Sequence, residues 1–232
     1  MTIFPITQIP RTIPSCILWL DAMDASTITQ SSNLVSSWRD KSGRGNNAIQ
    51  GTSANQPSVN VNTISGLPAI AFNGSSSSMT GNLTGFSGQP YSIFTAGQRR
   101  SSAAFNYLFS SPTVAVNLGW RTTDVLYHQI FTGAINTITA LTVPAYTTPT
   151  PSIIAGTQST NTRTLYFNST TVSATSSLAN DNTGATQFSL GFFNVYMNID
   201  LGEVLVFNRV LSASEVTTIT RYLSNKWGIA IS

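Results

Sequence analysis

Eight carboxylates and one histidine supply all the acid–base chemistry of this 232-residue chain. They are Asp21, Asp24, Asp40, Asp124, Asp181, Asp200, Glu203, Glu215 and His128. Cleaving a glycosidic bond takes two carboxyl groups facing one sugar linkage. Glu215 is claimed by a capping box with Ser212. Glu203 lies in DLGEVLVF with Leu201, Leu205 and Phe207 as its period-two neighbours, which predicts a half-buried side chain. The same alternation sends Asp200 to the opposite face, so the two cannot flank one bond. A buried carboxylate requires a partner, and Arg209 or Arg221 is the expected one. His128 has no G-x-S-x-G elbow to serve and reads as a packed or surface residue. One His and one Cys cannot make a zinc site. The chain is therefore expected not to be an enzyme.

Binding is the chemistry left. Asp21, Asp24 and Asp40, with Asn46 and Asn47, offer hard oxygen ligands on two neighbouring turns, so calcium is the metal these residues could hold, although EF-hand spacing is absent. No other cofactor is expected. Gly43, Gly45 and Ala48 spell G-x-G-x-x-A, one form of the dinucleotide fingerprint, which works only between a buried strand and a helix. Here RDKS precedes it and IQGTSANQP follows, so the segment reads as a polar turn between strands. Asp40, Arg44, Asn46, Asn47, Asn73, Trp120 and Tyr146 are the residues expected to hydrogen-bond or stack on a ligand. Glu203, Ser212, Glu215 and Trp227 are expected to be structural.

These side chains must be positioned by strands. Short β-prone runs such as CILWLDA, YSIFTAGQ, DVLYHQIF and DLGEVLVFN alternate with Gly, Asn, Ser and Pro punctuation, the pattern of an all-β antiparallel sandwich. One helix closes the chain: after the Ser212 cap, Val216, Ile219, Leu223 and Trp227 recur at helical spacing, and Gly228 ends it. Residues 1–14, with Pro5, Pro10 and Pro14, read as an extended arm, and 15–232 as a single domain. Cys16, the one cysteine, is expected to be a buried thiol in the first strand.

Composition narrows the partners. Only 8% of residues are charged, so the surface must be built from Ser, Thr, Asn and Gln. The formal charge of +3 comes from scattered arginines and just Lys41 and Lys226, not the clustered bases that nucleic acid requires. No apolar run approaches the length of a spanning helix, so membrane insertion is not expected. The first residues lack the basic and apolar regions of a signal peptide.

Four segments in order, WLDAMDASTI (19–28), SWRDKSGRGNNA (37–48), GLPAIAFNG (66–74) and LGEVLVFNRVLSASEVTTITRYLSNKWG (201–228), resemble the laminin-G-like, concanavalin A-like lectin/glucanase domains of secreted bacterial, phage and large-virus proteins. The resemblance covers roughly residues 15–230. It implies a two-sheet jelly-roll β-sandwich with a C-terminal helix, and a characteristic turn at Asp40, Ser42, Gly43, Gly45, Asn46 and Ala48. The glucanase E-x-D-x-E strand is absent, and no lectin binding motif is matched residue by residue. The expectation is a non-catalytic module of a virion or extracellular surface. It would be structural, as a minor capsid, decoration or fibre component, or glycan-recognising, with protein subunits and surface glycans as partners; the alternative is a secreted lectin-like adhesion domain.

Overall fold

The computed structural model describes residues 9–86, 88, 90–112, 115–131, 136–160, 162–168, 170–175 and 185–231. Asp181 and residues 1–8 of the arm lie outside them. Two antiparallel sheets face each other. In spatial order the first is Cys16–Asp21, Asn198–Phe207, Tyr91–Arg99, Ser152–Gln158, Thr162–Phe167 and Thr170–Thr175, with Ile70–Asn73 also paired to Asn198–Phe207. The second is Asn136–Thr142, Val125–Phe131, Ala115–Thr122, Asn106–Ser110, Gln187–Leu190, Met79–Asn82, Ala48–Ile49, Leu34–Trp38 and Ile28–Ser31. The expected β-sandwich is the fold. Within the arm, Ile9–Thr12 forms one helical turn, whereas an extended chain was expected. Arg11 then lies over the Trp19 ring and donates to the Lys41 carbonyl. Cys16 is half-buried, not buried, and burial pushes its thiol up to about 12.

The helix Ala213–Trp227 packs its apolar stripe, Val216, Ile219, Leu223 and Trp227, against the first sheet. Its capping box is formed, and Gly228 closes it in the left-handed region at φ 62°. Beneath it sits Glu203, completely buried. Its Oε1 accepts from Trp19 Nε1 at 2.7 Å and the Tyr222 hydroxyl at 2.6 Å; its Oε2 accepts from Trp227 Nε1 and Lys226 Nζ, both at 2.8 Å. The expected partners, Arg209 and Arg221, are not the ones used. Arg209 instead clamps Glu215 through its two terminal guanidinium nitrogens, at 2.8 and 2.5 Å. Lysine reaches Glu203 because position 226 lies one helical turn beyond Tyr222 on the covered face.

A β-bulge aims Glu203. Leu201 pairs with Gly97 and Glu203 with Ala96, so Gly202 is the extra residue. The neighbouring strand alternates without a break, and Asp200 pairs with Gln98. Asp200 and Glu203 therefore share a face, contrary to the period-two expectation. They remain separate sites: Asp200 is buried, accepts from Gln98 and Asn62, and pairs with the Arg100 charge at 3.0 Å. Gly202 also admits the helix, since a Cβ there would sit 2.8 Å from the Trp227 ring.

His128 is buried between the sheets, with Nε2 2.8 Å from the Tyr91 hydroxyl. Burial first, then the Arg163 charge, holds its pKa well below 6.5, so the folded ring is neutral. Glu215 is held down to about 2, chiefly by Arg209. The unfolded chain binds protons at both sites at higher pH, so each contributes stability that is lost on acidification. Denaturation curves should show one decline starting as the pH falls through 6.5, reduced by His128→Gln. A second, between 4.5 and about 2, should be reduced by Glu215→Gln.

Candidate ligand-binding cleft

The Asp40 turn is a fastener. Asp40 Oδ1 accepts from the Trp19 and Ser42 amides at 2.9 and 2.8 Å, and Oδ2 from the Ser42 hydroxyl and the Asn46 amide at 2.7 and 3.1 Å. Gly43 and Gly45 supply the positive φ that the loop needs, 90° and 75°. Asn46, expected at a ligand, is buried: it donates to the Ile17 and Thr84 carbonyls and accepts from the Thr84 amide. Asn47 accepts from the Asp40 amide. With no helix after Ala48, which enters a two-residue strand, the dinucleotide reading has no structural support.

The calcium candidates are taken by the chain's own cations. Lys41 Nζ lies 2.7 Å from Asp21 Oδ2 and 2.8 Å from Asp24 Oδ2, while Lys226 Nζ lies 2.7 Å from Asp21 Oδ1. Asp40 is filled by backbone and hydroxyl donors. Among the described residues, no group of three or more His, Cys, Asp or Glu side chains is arranged to hold a metal. Asn73 likewise folds onto its own turn, accepting from the amides of Ser75, Ser76 and Ser77. Arg44 is exposed on the Asp40 turn.

Two of the expected ligand residues do come together. Trp120 and Tyr146 line a cleft of about 170 Å³ with Arg99, Thr148, Thr150, Ser152 and Asn168. Arg99 and Trp120 belong to opposing sheets, and the loop 143–150 forms the outer wall. The Arg99 guanidinium lies between the two rings, 5.0 Å from Trp120 and 4.9 Å from Tyr146. Trp120 is only 2% exposed, so it is a wall of the cleft and not the open stacking platform expected. Its indole Nε1 is buried without an acceptor.

Asp124 fixes this geometry. Its Oδ1 accepts from Arg99 Nη2 at 2.7 Å and from the Tyr146 amide at 2.9 Å, and its carbonyl accepts from the Val143 amide. Arg99 also donates to the Thr123 carbonyl. The Arg99 hydrogen bond, then that from Tyr146, holds the Asp124 carboxyl below its ordinary value. Sequence reasoning missed Arg99 and Asp124. The available signals were Arg99-Arg100, the one basic pair, and an acid just before a strand.

No family profile matches the sequence, and no curated protein matches it. Solved structures do match. A Trypanosoma rangeli sialidase in complex with sialic acid aligns at TM-score 0.64 and 13% identity, over 92% of this chain and 33% of the sialidase. A botulinum neurotoxin type C structure, described by its interaction with two ganglioside molecules, aligns at 0.63 and 12%, over 90% and 51%. The binding domain of botulinum neurotoxin DC with rat synaptotagmin II aligns at 0.65 and 11%, over 90% and 52%. The chain thus spans about a third of the sialidase and half of each toxin chain. At these identities the likeness establishes the β-sandwich fold.

Asp124→Ala should leave the Tyr146 amide without its acceptor. Hydrogen exchange is expected to speed up at Tyr146 and across the loop 143–150, with protection in Tyr91–Arg99 unchanged.

Proposed function

We propose that the chain is a non-catalytic glycan-recognition module, with its ligand in the Arg99–Trp120–Tyr146 cleft. The observation that carries this reading is the lining itself. Three aromatic rings, those of Trp120, Tyr146 and Phe167, a guanidinium and the polar side chains of Thr148, Thr150, Ser152 and Asn168 line one cleft. None of the described lining residues is Asp, Glu or His, so the two carboxyl groups of glycoside hydrolysis are missing there. Asp200 and Glu203 are buried and fully engaged elsewhere. The structural neighbours add support at the level of fold, since they include proteins in complex with sialic acid and interacting with gangliosides. The concanavalin A-like motifs point the same way.

We place the module on a virion or other extracellular surface, where it would contact protein subunits as well as glycans. An 8% charged, hydroxyl-rich exterior supports that setting, because it limits nonspecific ionic contacts. Arg11 and the buried Ile13 contact the domain, so the arm is tested as a subunit contact by removing residues 1–8 alone. Unchanged incorporation of that truncated chain into particles would refute an arm contact.

Binding is tested on a glycan array, followed by calorimetry on any hit. Tyr146→Ala should weaken binding by about tenfold or more, as loss of an interface anchor does. Arg44→Ala and Asn73→Ala should leave it unchanged. An array without hits, or a hit insensitive to Tyr146→Ala, would overturn the assignment.

A further inference from the structure

The cluster under the C-terminal helix holds more reactive groups than an ion pair needs. Lys226 Nζ lies 2.7 Å from Asp21 Oδ1 and 2.8 Å from Glu203 Oε2. Asp21 and Glu203 are directly opposed partners on adjacent antiparallel strands, so one ammonium bridges two carboxyl groups. The side chains are nearly dry: 7% exposed for Lys226, 5% for Asp21 and none for Glu203. Trp19, Tyr222 and Trp227 donate around Glu203, and the Lys41 ammonium sits on the other oxygen of Asp21 at 2.7 Å.

We propose that Lys226 and Asp21 form an intramolecular isopeptide bond, with Glu203 as the group that moves the proton. Glu203 takes a proton from the Lys226 ammonium. The freed Nζ lone pair attacks Asp21 Cγ, and negative charge gathers on Oδ2, where Lys41 stands to stabilise it. Glu203 returns its proton to Oδ1, which also takes the second proton of the amine. The Cγ–Oδ1 bond breaks and water leaves. One ammonium and one carboxylate become one amide and one water, so atoms and charge balance with no other reactant.

Three features favour this over a permanent ion pair. Positioning favours the step, since strands and a helix hold the Lys226 Nζ within 2.8 Å of an oxygen of each carboxyl group. The site excludes most water, which shifts a condensation toward the amide and weakens the solvation that keeps the ions apart. Burial pushes the Glu203 carboxyl upward against the pull of Lys226, so Glu203 is suited to accept the ammonium proton. Lys41 lacks this arrangement: its partners are Asp21 and Asp24, and it is more exposed, at 13%.

The bond would tie the first strand to the last helix and close nearly the whole chain into a covalent ring. Intact-mass spectrometry of the purified, folded full-length protein decides the matter. The expected mass is one water below that of the sequence, and proteolysis should yield a branched peptide joining Asp21 to Lys226. Lys226→Arg keeps a cation beside both carboxyl groups but should restore the full sequence mass, as should Glu203→Gln. A wild-type mass equal to the sequence overturns the proposal. So does a water loss that maps to Lys41, or one that persists in Lys226→Arg. Glycan binding at the Arg99–Trp120–Tyr146 cleft is a separate readout.

Discussion

A carboxylate without water must be given hydrogen-bond donors, and Glu203 draws them from both ends of the chain. Trp19 comes from the first strand; Tyr222, Lys226 and Trp227 come from the last helix. Leaving such a charge unpartnered costs about 3–5 kcal/mol, a large share of a domain's net stability. That demand sets the height and rotation of the helix over the sheet. It also reaches outward, because the Trp19 backbone amide is held by Asp40, whose turn fixes Asn46 and through it the Thr84 loop. Both lysines and four of the eight acids, Asp21, Glu203, Glu215 and Asp124, are committed to this one joint and to the Arg209–Glu215 and Arg99–Asp124 clamps.

Economy of charge also shapes the cleft. Arg99 is the cation closest to the candidate ligand, and its hydrogen bonds already go to Asp124 and Thr123. Its role there is to hold two rings at a fixed separation and to offer what donors remain. Little net charge is therefore left uncompensated in the cleft. Asp124 links strand, guanidinium and loop, so the cleft's outer wall is as well anchored as its floor.

Much of the architecture was legible in the sequence because it rests on local rules. Period-two runs gave the sandwich, Ser212 with Glu215 gave the helix start, and Gly43 and Gly45 marked a turn. What failed depends on distant contacts. The bulge at Gly202 leaves no local signature beyond one glycine, yet it turns Asp200 onto the face of Glu203. Lys226 displaced the two arginines as partner because docking of the helix, not proximity in sequence, selects the donor. Asn46 looked like a ligand residue, but its polar groups satisfy buried backbone. Trp120 and Tyr146 could be singled out by type, whereas their meeting around Arg99 depends on how the two sheets approach each other.

Asn198–Phe207 has two successive partners along one side, Ile70–Asn73 up to Leu201 and Cys16–Asp21 from Glu203 onward. Beyond Ile70–Asn73 the backbone of Ala71 exchanges both hydrogen bonds with Ser58. That margin of the sheet is thus divided into two short pieces, one of them covered, with a break in register where they meet. Proteins commonly guard exposed strand edges with lysine, and this chain has only two lysines, both committed inside. Interrupted geometry does the guarding instead, and a sparsely charged chain keeps that side closed to strand addition by its neighbours.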